Sequence, residues 1–336
     1  MKRALAFVFI TSLVPTGVAL ATKPGSGSSE GRGSVFFPNP VATLQDQSLT
    51  DQKDADYPAL QNAYEEVQLT NLDGSGYLQG DWANVRGETG VPAYSQENTF
   101  LFGRSDGRFE QVMAYYWVTE AQKYIQSLGF GSTLRAVNKE SQDIRANQFG
   151  VDNSYSWDKH DVLRFGKGGV DDAEDAEVIV HEYGHAVMDS QQTPFGYGGS
   201  TEAGAIGEGF ADYLAVTVTD AVAPTADRAC VADWDSVSYT STTPHCLRRV
   251  DTNLHYPEDL NGRVHHDGQI WSRALWEIRD ALGSEMADTV ILEGQFGMSD
   301  PTMPELAQST VAAALDLYGA ATASTVREAF EDRGIL

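Results

Sequence analysis

Basic residues are scarce in this chain beside acidic ones. It carries 23 Lys and Arg against 48 Asp and Glu in 336 residues, a formal net charge of −25, and arginine makes up most of the basic residues. Nucleic acid and anionic membrane would both repel such a surface, which argues against either as a partner. The acidic excess favours solubility. It is also compatible with a salty habitat or with bound calcium, which composition does not separate. Cysteine is nearly absent: Cys230 and Cys246 are the only two. In an exported chain they should close one disulfide, worth about 3 kcal/mol in the chain-entropy view. Long apolar runs are missing beyond the first twenty residues.

That first stretch reads as a secretory signal over residues 1–21. Lys2 and Arg3 give the positive start, an apolar run follows, and Ala19 and Ala21 offer a small-x-small cleavage site. Pro15, Gly17 and the short length argue against a membrane anchor. Residues 22–33, rich in Gly and Ser, read as a flexible leader. The expectation is a secreted, soluble, monomeric protein with no membrane contact once the signal is removed. With 41% hydrophobic residues it has enough apolar material for one large domain or two packed lobes.

What is present is led by one stretch, His181-Glu182-Tyr183-Gly184-His185. On a helix, residues four apart lie on one face a turn apart, so His181 and His185 can share a metal ion. Glu182 then lies beside the open coordination position and can take a proton from bound water. Catalytic zinc takes three protein ligands. Glu208 is the expected third, because Asp212 stands one turn beyond it and can orient His181 through its other ring nitrogen. Glu202 is the rival ligand, but Ile206 four residues on cannot serve that second role. Gly207 and Gly209 flank Glu208 and suggest close helix packing. His265, before an amphipathic segment at 269–282, could donate to an oxyanion, with His266 as the alternative donor; from the residues alone it could equally be a surface histidine.

Elsewhere, short apolar runs broken by Pro and Asp-Gly over residues 34–94 predict strands and turns. The spacing of Met113, Trp117, Ala121, Tyr124 and Leu128 predicts a helix over 111–128, ended at Gly129. Residues 145–169 read as strands around a polar turn at 158–161, with an edge able to pair with an extended peptide. Residues 221–260 read as a long loop. A helix is expected over 305–318 and another opened by a Thr325–Glu328 capping box.

The runs His181 to His185, Gly207 to Asp212 and Val264-His265, with the tail Ala314 to Gly319 and the opening Phe37 to Val41, resemble the gluzincin metallopeptidases. They are closest to the fungalysin-like group, with thermolysin as a better-known relative. The resemblance covers about residues 35–336. It implies an α+β, two-lobed, thermolysin-like fold: a β-rich lobe over 34–188 that ends in the zinc helix, and a mainly helical lobe over 189–336, with the zinc cleft between them. It implies a secreted zinc endopeptidase acting on peptide or protein substrates. His181, His185 and Glu208 would be the ligands, Glu182 the base and acid, Asp212 the support of His181, and His265 the oxyanion donor. Asn153 resembles the asparagine that holds the substrate backbone, Tyr197 an active-site tyrosine, and Arg249 an arginine that grips a substrate carbonyl. Calcium ligands cannot be placed residue by residue. Relatives carry a long inhibitory propeptide where this sequence has a short leader, so control of activity should differ. The alternatives are a gluzincin aminopeptidase and a non-catalytic zinc-binding domain. A metzincin is excluded by Gln191, where a third histidine would stand.

Overall fold

The computed structural model describes residues 29–87, 90–191 and 199–336. The expected signal at 1–21, most of the leader and Tyr197 lie outside these residues. The expected leader ends early, because its last three residues already belong to the first strand, β1 (Gly31–Phe36). This strand pairs antiparallel with β2 (Tyr64–Leu69) and parallel with β4 (Thr99–Phe100), in the order β2-β1-β4. Between β1 and β2 lies a short helix, α1 (Pro40–Leu44), capped by the Asn39 side chain. A second sheet has the order β3-β5-β7-β6, from β3 (Ala83–Val85), β5 (Gln142–Arg145), β7 (Val162–Arg164) and β6 (Tyr155–Trp157). Among the described residues β6 pairs only with β7, which leaves an edge of the kind expected for the strands of 145–169.

The helix expected over 111–128 is α2 (Phe109–Ser127). Most of its residues are buried, so it is the core of the first lobe rather than a surface helix. Next come α3 (Ala176–Ser190) and α4 (Thr201–Val222). α5 (Val264–Leu282), α6 (Ser284–Gln295), α7 (Met303–Tyr318) and α8 (Ala320–Asp332) complete a mainly helical second lobe. The loop between α4 and α5 is pinned by a small ladder of β8 (Cys230–Val231) on β9 (Arg248–Arg249) and by the Cys230–Cys246 disulfide. The α+β, two-lobed reading holds.

Helix boundaries differ from expectation, and α5 begins at Val264 rather than at 269, so His265 lies within the helix rather than before it. Thr325 lies inside α8, its hydroxyl bonded back to the Ala321 carbonyl, and the helix begins at Gly319 instead. The capping box forms one helix earlier: Thr302 and Glu305 cap α7 reciprocally. No helix among the described residues is long and apolar enough to cross a membrane.

Buried polar contacts lock the lobes around α3 and α4. Asp288 of α6 accepts from Tyr124 of α2 and from Tyr213 and Thr217 of α4. Arg104, fully buried, grips Glu174 just before α3, and the Trp234 indole N–H donates to the same carboxylate. Breaking such a buried network by removing one member leaves an uncompensated group and is costly.

Candidate metal centre

α3 starts where its sequence says it should. Asp175 caps it by accepting from the Glu177 N–H, and Ala176 to Val180 bury its first turn. The helix carries His181, Glu182 and His185 to the floor of the cleft. α4 crosses it closely because Gly184 has no side chain: a Cβ there would stand 3.0 Å from Cα of Ala211. This approach brings Glu208 to the histidines. Gly209, expected to serve the same contact, meets α5 instead, where a Cβ would lie 2.2 Å from the Gly268 carbonyl oxygen. That second contact carries His265, in the first turn of α5, over the site.

His181, His185 and Glu208 each place a ligand atom within 4.8 Å of the others. Nε2 of His181 lies 3.3 Å from Oε2 of Glu208, and Nε2 of His185 lies 3.8 Å from Oε1. Ligands at about 2.1 Å from a tetrahedral ion stand about 3.4 Å apart, so the set fits zinc. Oε2 of Glu208 is buried without a hydrogen-bond partner, as expected of an atom placed for a metal rather than a donor. Glu202 is elsewhere: its carboxylate accepts from the Met303 N–H at the start of α7. Gln191 is turned away too, donating to the Leu292 carbonyl.

Asp212, expected behind His181, lies next to that ring. Oδ1 of Asp212 lies 2.8 Å from Nδ1 of His181. Asp212 is in turn held by two bonds from Arg248, at 2.7 and 2.8 Å. Burial pushes the Asp212 carboxyl up, but Arg248 outweighs it and holds the group at about 2. Burial likewise opposes charge on His181 and Glu208. Asp212 and Glu208 overcome it and raise His181 to about 10, while the histidines hold Glu208 well below the usual carboxylate range. Burial lowers His185 to about 4.

Glu182 is 6% exposed, its Oε2 has no partner, and burial raises its carboxyl to about 7. The imidazole of His265 is mostly exposed, with Nε2 3.3 Å from Oε2 of Glu208. Asn153, Tyr155 and Trp157 form the opposite wall of a cavity of about 690 Å³ with His185, Glu208 and His265. That volume is within the roughly 300–1,000 Å³ of ligand-binding clefts.

Arg249 is not part of the site. Its guanidinium is tied to Asp227 and Asp251 on the outer side of the loop. Its neighbour Arg248 instead lines a smaller recess beside that cavity, next to His181. Side chains alternate along a strand, so the two arginines of β9 point opposite ways, and the run Arg248-Arg249 does not say which faces inward. Asp172 and Asp235 line the same recess, and neither is among the site residues expected from the sequence.

Comparison with known proteins agrees with this geometry. No functionally curated protein matches the chain. Among solved structures, the precursor of protealysin, a metalloproteinase from Serratia proteamaculans, is similar at 16% identity, with a TM-score of 0.51 over 67% of this chain and 78% of that one. Residues 61–335 match the Fungalysin metallopeptidase (M36) family. The chain belongs to that family, whose members are zinc-dependent endopeptidases.

Proposed function

We propose that this protein is exported and cleaves internal peptide bonds in extended substrates, with His181, His185 and Glu208 holding zinc. The observation that carries the reading is the convergence of these three groups beside Glu182, a buried carboxylate with an unpartnered oxygen. When bound, zinc lowers the pKa of a water and polarises the substrate carbonyl. Glu182 takes the proton from the attacking water and passes it to the leaving amine. His265, at the mouth of α5, hydrogen-bonds the oxygen on which negative charge develops. Asp212 fixes the ring of His181, and Arg248 fixes Asp212. The free edge of β6, with Asn153 just before it, holds the substrate backbone in extended form.

Export is supported by the amino-terminal sequence and by the disulfide. Calcium does not enter the proposal. In the acidic grouping at the start of α3, Asp175 accepts from the N–H groups of Trp234 and Asp235, and Glu177 from that of Ala232.

The test uses a peptide blocked at its amino terminus. Cleavage within it that a chelator stops and zinc restores supports the proposal. Cleavage only of the unblocked version would make the protein an aminopeptidase.

A further inference from the structure

Beside the catalytic floor is a second, smaller recess. It has a cavity of about 90 Å³ and shares His181, Glu182 and His265 with the larger one. Whole-ligand sites are several times larger, roughly 300–1,000 Å³, so this recess has room for one side chain. Val178, Val231 and Leu247 give it apolar walls, and Asp172 and Asp235 also line it.

These two acids are 2% and 3% exposed, and each has an Oδ1 buried with no hydrogen-bond partner. Together with Asp152 they bring three carboxylate oxygens within 4.8 Å of one another. Their other contacts orient them without neutralising them. Ser154 donates to Oδ2 of Asp172, and the Tyr239 hydroxyl donates to Oδ1 of Asp152. Arg248, also in the lining, is committed to Asp212 through both its bonds. Unpartnered buried carboxylates are costly, so a site that keeps two of them beside its reacting groups lacks a positively charged donor. Burial, with the neighbouring acids adding to it, raises Asp235 far above the carboxylate range, which reports the same shortage of positive charge.

We propose that this recess receives a lysine or arginine side chain of the substrate, next to the bond being cut. The methylene stem lies along the apolar walls and the charged head meets Asp172 and Asp235. The inference rests on the peptidase reading and narrows it to peptides with a basic residue at one fixed position beside the cut.

Two measurements test it on the zinc-loaded protein. In the first, peptides matched except for Lys or Leu at each position around the cut are cleaved by wild type and by the Asp172→Asn, Asp235→Asn double variant. Wild type should favour Lys at one position, and the kcat/KM ratio of Lys over Leu should fall by about tenfold or more in the variant. A wild type that favours Leu everywhere, or a ratio that the variant leaves unchanged, overturns the proposal. In the second, n-butylammonium, which mimics the lysine tail, is titrated by calorimetry. Binding to wild type that is lost in the variant supports the recess as a cation pocket, even were no peptide cleaved, the result that would sink the peptidase reading alone. Millimolar calcium that binds wild type but not the variant, with no butylammonium binding, would make the acids a metal site and overturn it. Asparagine is isosteric with aspartate and neutral, so thermal unfolding of the variant should match or exceed wild type.

Discussion

Gly209 of α4 and Gly268 of α5 touch backbone to backbone. A Cβ on Gly209 would stand 2.2 Å from the Gly268 carbonyl oxygen and 2.9 Å from Cβ of Trp271. The contact lies one residue from Glu208 and three from His265, so it sets the distance between a proposed ligand and the proposed oxyanion donor. Backbone cannot swing aside as a side chain can. Gly209→Ala should cost about 1–3 kcal/mol by overpacking and should lower kcat/KM beyond what the loss of folded protein explains. Thermal unfolding and kinetics on the folded fraction measure the two effects.

His265 should act on the transition state rather than on substrate binding. His265→Ala is expected to lower kcat by about 10²-fold, the usual loss of one oxyanion donor, with KM little changed. An unchanged kcat would move the role to His266, which is also in the first turn of α5 and whose Nδ1 is 3.1 Å from Oδ1 of Asp267.

Asp212 should matter to metal affinity more than to the fold. Asp212→Asn keeps the shape but weakens the acceptor of the His181 ring N–H, so zinc affinity should fall by about 10–100-fold in competition with a chelator. Arg248→Lys cannot make both bonds to Asp212 and should give a smaller loss of the same kind. Equal zinc affinity in both variants and wild type would remove Asp212 and Arg248 from the site's support.

The buried acids around the start of α3 predict how stability depends on pH. Burial, with Asp175 nearby, raises Asp233 to about 8. Its folded pKa lies above the unfolded value of about 4, so the folded protein holds a proton that the unfolded chain has released. The sign follows: the stability this group contributes is complete below about pH 4 and is lost as pH rises towards 8. Asp233→Asn mimics the neutral acid. It should raise Tm by several degrees at pH 8, by less at pH 5, and leave it near wild type at pH 4. A larger gain at pH 5 than at pH 8 would contradict the assignment.

Much of the site was legible because its chemistry is local. His181 and His185 share one helix face, as do Glu208 and Asp212, and a helix face follows from spacing alone. The two-lobed fold was legible through the same motifs. What spacing does not carry is register and direction. Arg248 rather than Arg249 faces the cleft because β9 pairs with β8 as it does, through Cys230 with Arg249 and Val231 with Arg248. Asp175 caps α3. Asp172, three residues earlier, lines the recess instead, which depends on Asp235 arriving from a loop some sixty residues away. The misplaced capping box at Thr325 has a similar cause. Gly319 starts α8 one turn and more before it, and the helix then runs through the box.

The central claim, that Glu182 moves the proton at a zinc site built from His181, His185 and Glu208, is tested most directly by Glu182→Gln. Purified wild type and variant are assayed on unfolded casein, and zinc is measured in both. The account predicts one zinc per chain in each, with cleavage by wild type only. Cleavage by the variant at the wild-type rate, or zinc missing from both, would contradict it.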